Sequence, residues 1–406
     1  MSETFVIVGA SLAGAKAAET LREEGFDGRV VLLGAEPHRP YERPPLSKDY
    51  VRGETQRDGA FVHEEGFYAE KDIELRTSTT VRALDLNARE VELEGGERVG
   101  FSKLLLAPGA EPRRLKLPGA DLDGVHYLRT FENSDAIREA IERGGRAVVI
   151  GAGWIGSEVA ASARTKGADV TLVEQLSVPL ERVLGTEVGE VYAAIHRDHG
   201  VELLGGTGVE AIEGDGRAEG VTLENGRRID CDFVVIGVGV APRTALAEAA
   251  GLEVDDGVIV DEYLQTATEG VFAAGDVARA KHPFFERRLR VEHWHNALEQ
   301  GPAAARNMLG RNEPYDRIPY FFSDQYDVGM EYAGHATEWD EVVFRGDVDG
   351  REFIAFWLKD GRVLAGMNVN VWDVTDDIQA LIRSRAQVDV GSLRDPEVPL
   401  GSLVSA

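Results

Sequence analysis

The chain has 406 residues, 43% of them hydrophobic, and a formal net charge of −27. That length predicts two or three domains rather than one core, and the acidic excess argues against nucleic acid or an anionic membrane surface as partner. No apolar run reaches the roughly 18 residues of a spanning helix, and the single cysteine, Cys231, excludes an intrachain disulfide and leaves too few thiols for a zinc or iron–sulfur site.

Met1-Ser2-Glu3-Thr4 enters a strand at once and lacks the basic and apolar regions of a secretory signal, so cytoplasmic residence is the expectation. The strand Phe5-Val6-Ile7-Val8 runs into a turn, Gly9-Ala10-Ser11-Leu12-Ala13-Gly14, and then an alanine-rich helical stretch. Such a turn sets backbone N–H groups and a helix N-terminus against a pyrophosphate. Ser11 stands where the middle glycine is usual; its Cβ tightens the approach, and its hydroxyl could donate a hydrogen bond. The next apolar strand, Val30–Leu33, leads through Gly34 and Ala35 to Glu36, a carboxylate placed to accept ribose hydroxyls. A polar, charged insertion is expected near 50–80, then a hairpin over Glu90–Glu97 and a buried strand, Leu104–Ala107, that stops at Pro108-Gly109.

The second unit repeats the plan. A helix is predicted over Ser134–Arg143, then the strand Ala147–Ile150 and the turn Gly151-Ala152-Gly153-Trp154-Ile155-Gly156. The strand Ala168–Val173 ends in Glu174, followed by Gln175 rather than a base. Either glutamate alone reads equally well as a solvated strand end. Paired with glycine turns at about the usual 20–25 residues, both read as ribose acceptors, and Glu174 should repel a 2′-phosphate and so favour NADH over NADPH. Glu224-Asn225-Gly226-Arg227 signals a hairpin. Cys231 lies in a strand-like stretch as a packed thiol, and Phe233–Ile236 runs into Gly237-Val238-Gly239.

Two such turns imply two dinucleotides, hence a flavoprotein that also binds a nicotinamide. Flavoproteins of this type that reduce disulfides need a cysteine pair beside the flavin, which this chain lacks. A third segment, Val271–Ala273 followed by Ala274-Gly275-Asp276, is predicted to enter a helix; Asp276 reads either as an N-cap or as an acceptor for the ribityl chain. Its place after the second unit favours the flavin. The domains expected are therefore a discontinuous FAD-binding domain (1–112 and 241–319), an inserted NAD-binding domain (113–240), and a C-terminal α+β domain (320–406). The last carries strands at Glu341–Phe344, Phe353–Leu358 and Arg362–Met367 and a helix over Val374–Arg385.

Several stretches carry a resemblance. Pro40-Tyr41-Glu42-Arg43-Pro44-Pro45-Leu46-Ser47-Lys48 is the most specific; Tyr127–Thr130, Glu292-His293-Trp294-His295-Asn296-Ala297 and Ser323-Asp324-Gln325-Tyr326 agree with it. Over essentially its whole length the chain resembles the FAD-dependent NADH:ferredoxin reductases of bacterial oxygenase and P450 systems, the putidaredoxin reductase and biphenyl dioxygenase reductase family. The resemblance implies a glutathione-reductase-like α/β fold, with two Rossmann-type domains and a C-terminal domain completing the flavin pocket. It places FAD against Ala13, Ala35, Arg43, Lys48, Val81, Arg129, Asp276 and Trp294, with Ala107, Gly275, Glu292 and His293 alongside them. It places NAD against Ile155, Glu158, Glu174 and Gly239. Two further departures are Pro108, in place of a threonine in an Ala-Thr-Gly turn, and Phe322, where a tryptophan often occurs.

Hydride transfer requires the nicotinamide C4 against flavin N5 in a dry pocket, and the cofactors carry the reaction itself. Lys48 is the candidate cation near N5, stabilising reduced flavin, and Glu158, on the first turn of the second dinucleotide helix, is its natural counter-ion; the alternative is two ordinary surface charges. Arg129 reads either as a flavin contact or simply as a helix cap. The implied partner is a [2Fe–2S] ferredoxin, serving a P450 or ring-hydroxylating oxygenase. The alternatives are a flavoprotein like apoptosis-inducing factor, or a reductase for rubredoxin or another small acceptor. Arg279, Lys281, Arg287, Arg288 and Arg290, with only Glu286 against them, form a local basic segment expected to steer an acidic ferredoxin.

Overall fold

The computed structural model describes residues 3–405. Runs such as Val30–Leu33, Leu104–Leu106 and Phe233–Ile236 are apolar at every position, the pattern of strands covered on both faces, and all are buried. They are central strands of two parallel five-stranded sheets. The first runs in the order Val271–Ala273, Lys103–Leu106, Thr4–Val8, Arg29–Leu33, Ile73–Arg76. The second runs Glu202–Leu204, Asp169–Val173, Arg146–Ile150, Phe233–Ile236, Val125–Tyr127. Each is accompanied by a three-stranded antiparallel meander, over 81–100 in one case and 209–230 in the other. A third five-stranded sheet, antiparallel throughout, is built from residues 320–369.

The chain divides into two compact units: residues 1–42, 58–111 and 240–319, and residues 43–57, 112–239 and 320–406. The segment 43–57, grouped above with the flavin-binding stretch, thus packs with the second unit. In the first unit, helix Leu12–Glu23 presents Ala15, Ala17 and Ala18 inward, all fully buried. Their small side chains let helix Trp294–Met308 approach until a Cβ at Gly301 would stand 2.3 Å from the Ala13 carbonyl oxygen. In the second unit, helix Glu181–Asp198 lays Leu184, Val188 and Tyr192 on the antiparallel sheet against Met330, Trp357 and Met367. The buried Trp357 indole donates to the Leu184 carbonyl at 3.0 Å. Among the described residues no helix is long and apolar enough to cross a membrane.

Four expectations change. The helix placed at Ser134 begins at Phe131, because Thr130 and Asn133 form a reciprocal cap: the Thr130 hydroxyl accepts from the Asn133 N–H, and the Asn133 amide oxygen accepts from the Thr130 N–H. No α-helix follows Asp276. A 3₁₀ turn, Gly275–Val277, passes into a hairpin of strands Ala278–His282 and Arg287–Leu289, where Ala278, Ala280 and His282 point inward with the period of a strand. The polar insertion supplies an edge strand, Ile73–Arg76. Two strands, Tyr320–Gln325 and Val328–Gly334, precede those expected in the C-terminal region.

One buried group in this core titrates. His196, on helix Glu181–Asp198, is fully buried with Nδ1 3.1 Å from the Tyr326 hydroxyl, and burial pushes its imidazole down to about 4. The unfolded chain binds this proton near the ordinary value of about 6.5, so the stability held at neutral pH is lost as pH falls from about 6.5 towards 4. The full effect is about 3 kcal/mol. The unfolding midpoint should therefore drop between pH 7 and 5, and His196→Gln should make that drop shallower, as thermal unfolding across this range would show. An unchanged slope would mean that His196 does not carry it.

Candidate active site

In the first unit the strand Thr4–Val8 ends at Gly9, whose φ is +117° and where a Cβ would fall 2.0 Å from the Ala107 carbonyl oxygen. No side chain fits there, which explains the glycine. Ser11 caps helix Leu12–Glu23 in an extended conformation, and its hydroxyl makes no cap hydrogen bond. Leu12, Ala13 and Gly14 form the buried first turn, whose leading amides have no partner within the helix. Glu36, half-buried three residues beyond the end of strand Arg29–Leu33 and next to the exposed Ala35, accepts from the Tyr41 hydroxyl. The Gly275 amide donates to Gln300 Oε1 at 2.9 Å, fixing the turn that carries Asp276 against the helix capped by His293. Burial raises the carboxyls of Glu292, which Arg290 opposes, and of Glu42, which faces the Trp294 indole. Val81 is half-buried at the start of the meander.

In the second unit Gly151 has φ +94°, and a Cβ on Gly156 would stand 1.9 Å from the Gly151 carbonyl oxygen. Gly237 packs behind them: a Cβ there would lie 3.1 Å from the Gly156 Cα, and a Cβ on Gly151 would lie 3.3 Å from Val238 Cγ1, whereas Gly239 is exposed and a Cβ on it would meet nothing within 4 Å. A Cβ at Gly153 would meet nothing within 4 Å, so the turn opens outward there. Trp154 begins the helix with its ring against Phe321, and Ile155 is 42% exposed at its mouth. Glu174 is tied to this turn. Its two oxygens accept from the Ala152 amide at 2.6 Å and the Leu176 amide at 3.0 Å. Both turns thus offer the close backbone approach and helix N-terminus that a dinucleotide requires, each with a carboxylate at the next strand end.

Lys48 and Glu158 are not surface charges. They are 8% and 4% exposed, and Lys48 Nζ lies 3.2 Å from Glu158 Oε2. Glu158 falls in the second turn of helix Trp154–Thr165, one residue beyond the first turn where it was expected, and so points to Lys48. The pair is clamped by two groups not predicted as site residues. Ser47 donates to Glu158 Oε2, and Ser323, from the antiparallel sheet, donates to Oε1 at 2.8 Å. Ser162 in turn donates to the Ser47 carbonyl at 2.7 Å. Both serines lie inside the stretches quoted for the family resemblance; what the sequence lacked was any sign that they converge on one carboxylate. Arg43 Nη1 donates to the Arg129 carbonyl, and the Arg129 amide donates to Asn133 Oδ1 at 3.1 Å, so Arg129 borders the capped helix while Thr130 is the cap itself.

The basic segment changes character in the fold. Arg279 pairs with Asp255, Lys281 with Glu262 at 3.3 Å, and Arg290 with Asp256 at 3.1 Å and with Glu292. Arg288 donates to the Val260 carbonyl. Acids distant in sequence therefore offset most of the positive charge counted along the chain. Cys231 sits between two strands rather than within one, buried, and burial raises its thiol to about 11.

Two dinucleotide turns and no second thiol define an oxidoreductase that binds FAD and NAD(H) without a disulfide relay. The pyridine nucleotide-disulphide oxidoreductase family matches residues 3–301, and a reductase C-terminal domain matches residues 320–404. The chain belongs to this family, with the fold expected from its sequence. Rhodocoxin reductase from Rhodococcus erythropolis is 40% identical over 90% of this chain and 86% of its own. The ferredoxin reductase for the CYP199A2 system from Rhodopseudomonas palustris superposes with a TM-score of 0.96 at 35% identity, covering 99% of this chain and 100% of that one. The reductase chain of a covalent putidaredoxin reductase–putidaredoxin complex gives 0.94 at 35% identity, covering 99% and 98%.

Removing Lys48 alone strands a buried carboxylate, which costs about 3–5 kcal/mol. Lys48→Met should therefore destabilise the protein by that order, and Lys48→Met combined with Glu158→Gln by clearly less than the two singles added, as a urea-unfolding double-mutant cycle would measure. Additive losses would mean the two side chains do not act as a pair.

Proposed function

We propose that this protein is an NADH-dependent FAD flavoprotein of the cytoplasm that passes electrons singly to a [2Fe–2S] ferredoxin serving a P450 or ring-hydroxylating oxygenase. The observation that carries this reading is Cys231. In a family named for disulphide chemistry, the one thiol is buried and pushed up in pKa, so no dithiol can receive the electrons. They must leave for an external carrier. The names of the relatives point the same way, to reductases that serve rhodocoxin, putidaredoxin and a P450 system.

Bound FAD would supply the exchange between a two-electron donor and a one-electron acceptor. The turn Gly9–Gly14, with Glu36, would hold it, together with Arg43, Arg129, Asp276 and Trp294. The turn Gly151–Gly156, with Glu174 and Gly237–Gly239, would hold NADH. The remaining lone pairs of Glu174 suit ribose hydroxyls, and its charge opposes a 2′-phosphate. Lys48 uses one donor on Glu158, and its other two would be available to the flavin. Because Ser47 and Ser323 occupy both oxygens of Glu158, the carboxylate cannot swing away, and the ammonium stays where a growing negative charge needs it. The discontinuous FAD domain, inserted NAD domain and C-terminal domain are proposed with the boundaries given from the sequence.

The purified protein should carry one non-covalent FAD and reduce a [2Fe–2S] ferredoxin with NADH. kcat/KM for NADH should exceed that for NADPH about a hundredfold, roughly 3 kcal/mol, and Glu174→Ala should narrow the gap. Steady-state kinetics with both nucleotides decide it. Comparable values for the wild type would remove Glu174 as the discriminator, and failure to reduce any ferredoxin would remove the proposed function.

A further inference from the structure

Trp372 is 54% exposed, against 42% for Ile155 and 36% for Val183, the other large apolar side chains open to solvent among the described residues. It stands in the turn between strand Arg362–Val369 and helix Thr375–Ser384. A single exposed apolar residue ordinarily needs no explanation, but this one is held in place. Asn368, itself 1% exposed, donates from Nδ2 to the Val371 carbonyl at 2.6 Å. Asn370 accepts the Gly329 amide on Oδ1 at 2.9 Å and donates from Nδ2 to the Asp327 carbonyl at 3.3 Å. Asn370 and Asp373, on either side of the tryptophan, both adopt positive φ, +49° and +62°, a conformation that persists only where the surroundings enforce it. The ring lies across Gly329: a Cβ there would stand 2.6 Å from Cη2.

The location is as specific as the restraint. Gly329 pairs directly with Asp324 on the neighbouring strand. Phe322 shares a strand face with Asp324, about 7 Å away, and its ring centre lies 5.3 Å from Lys48 Nζ. Ser323, between them, faces the other way to hold Glu158. A continuous stretch of one sheet face thus leads from the Lys48 ammonium to an exposed, immobilised indole. The exposed charges beside it, Asp324, Asp327, Asp373 and Asp376, are all acidic.

We infer that Trp372 is the apolar anchor on which the one-electron iron–sulfur partner docks, seating it beside the Lys48 face; this rests on the function proposed above. Rigid aromatic side chains supply the dominant energy at many interfaces. With an acidic rim and a hairpin whose basic groups are largely paired, apolar burial rather than long-range attraction provides the affinity, so the KM for ferredoxin should not rise with salt.

The test uses the full-length, FAD-loaded protein, NADH and a [2Fe–2S] ferredoxin reduced by the wild type, beginning with putidaredoxin. Trp372→Ala should raise the KM for ferredoxin about tenfold or more and leave NADH-driven ferricyanide reduction unchanged. Trp372→Phe should recover most of the loss. Gly329→Ala, whose methyl would lift the ring, should reproduce it without removing the indole. Wild-type KM should hold or fall as salt is raised to about 0.3 M. An unaltered KM in Trp372→Ala, or a rise confined to the double reversal of Arg287 and Arg288 to Glu, would overturn the assignment and move docking to the basic hairpin or elsewhere. No ferredoxin reduction by the wild type, with ferricyanide still reduced, would overturn the partner as well.

Discussion

A buried ion pair, Lys48 with Glu158, is the constraint on which the proposed chemistry depends. Taking both charges out of water is costly, and their mutual attraction offsets that cost only when the remaining hydrogen-bonding capacity is met. Here Glu158 has a serine hydroxyl on each oxygen besides the ammonium. The four groups come from a proline-rich 3₁₀ turn, a dinucleotide-binding helix and the C-terminal antiparallel sheet. No one of these elements makes the site. The pair therefore ties the nucleotide-binding half of the second unit to its C-terminal sheet.

The same economy explains what surrounds the pair. Glu174 holds its glycine turn through the Ala152 amide, so the residue proposed to choose the nucleotide also fixes the turn that would receive it. Cys231, raised in pKa by burial and lacking a partner thiol, is inert packing in a fold whose family takes its name from disulphides.

Much of this was legible in the chain. The central parallel strands announce themselves as unbroken apolar runs, and the two glycine turns, with Glu36 and Glu174, follow from spacing. Lys48 and Glu158 could be named, and so could their pairing. What could not be read was tertiary convergence. Ser47 and Ser323 lie far apart in sequence and look like ordinary polar residues until the fold brings them to one carboxylate. Strand Tyr320–Gln325 went unrecognised because its buried side chains include Ser323 and Gln325, which break the apolar alternation that marks a half-buried strand. The basic segment misled for the complementary reason. Counting charge along the chain omits Asp255, Asp256 and Glu262, which only folding brings opposite it. The helix expected after Asp276 failed because Ala278, Ala280 and His282 alternate inward, a two-residue period among small side chains that local propensity does not reveal.

The role proposed for Lys48 is electrostatic: its charge, trimmed by Glu158, would stabilise reduced flavin. The midpoint potential of the bound FAD measures this most directly. Lys48→Met should lower the potential, because reduction then proceeds without a neighbouring cation, while Glu158→Gln should raise it, because the cation is no longer offset. The two shifts should run in opposite directions. Unchanged potentials, or both variants moving the same way, would contradict that role and leave the pair a purely structural clamp.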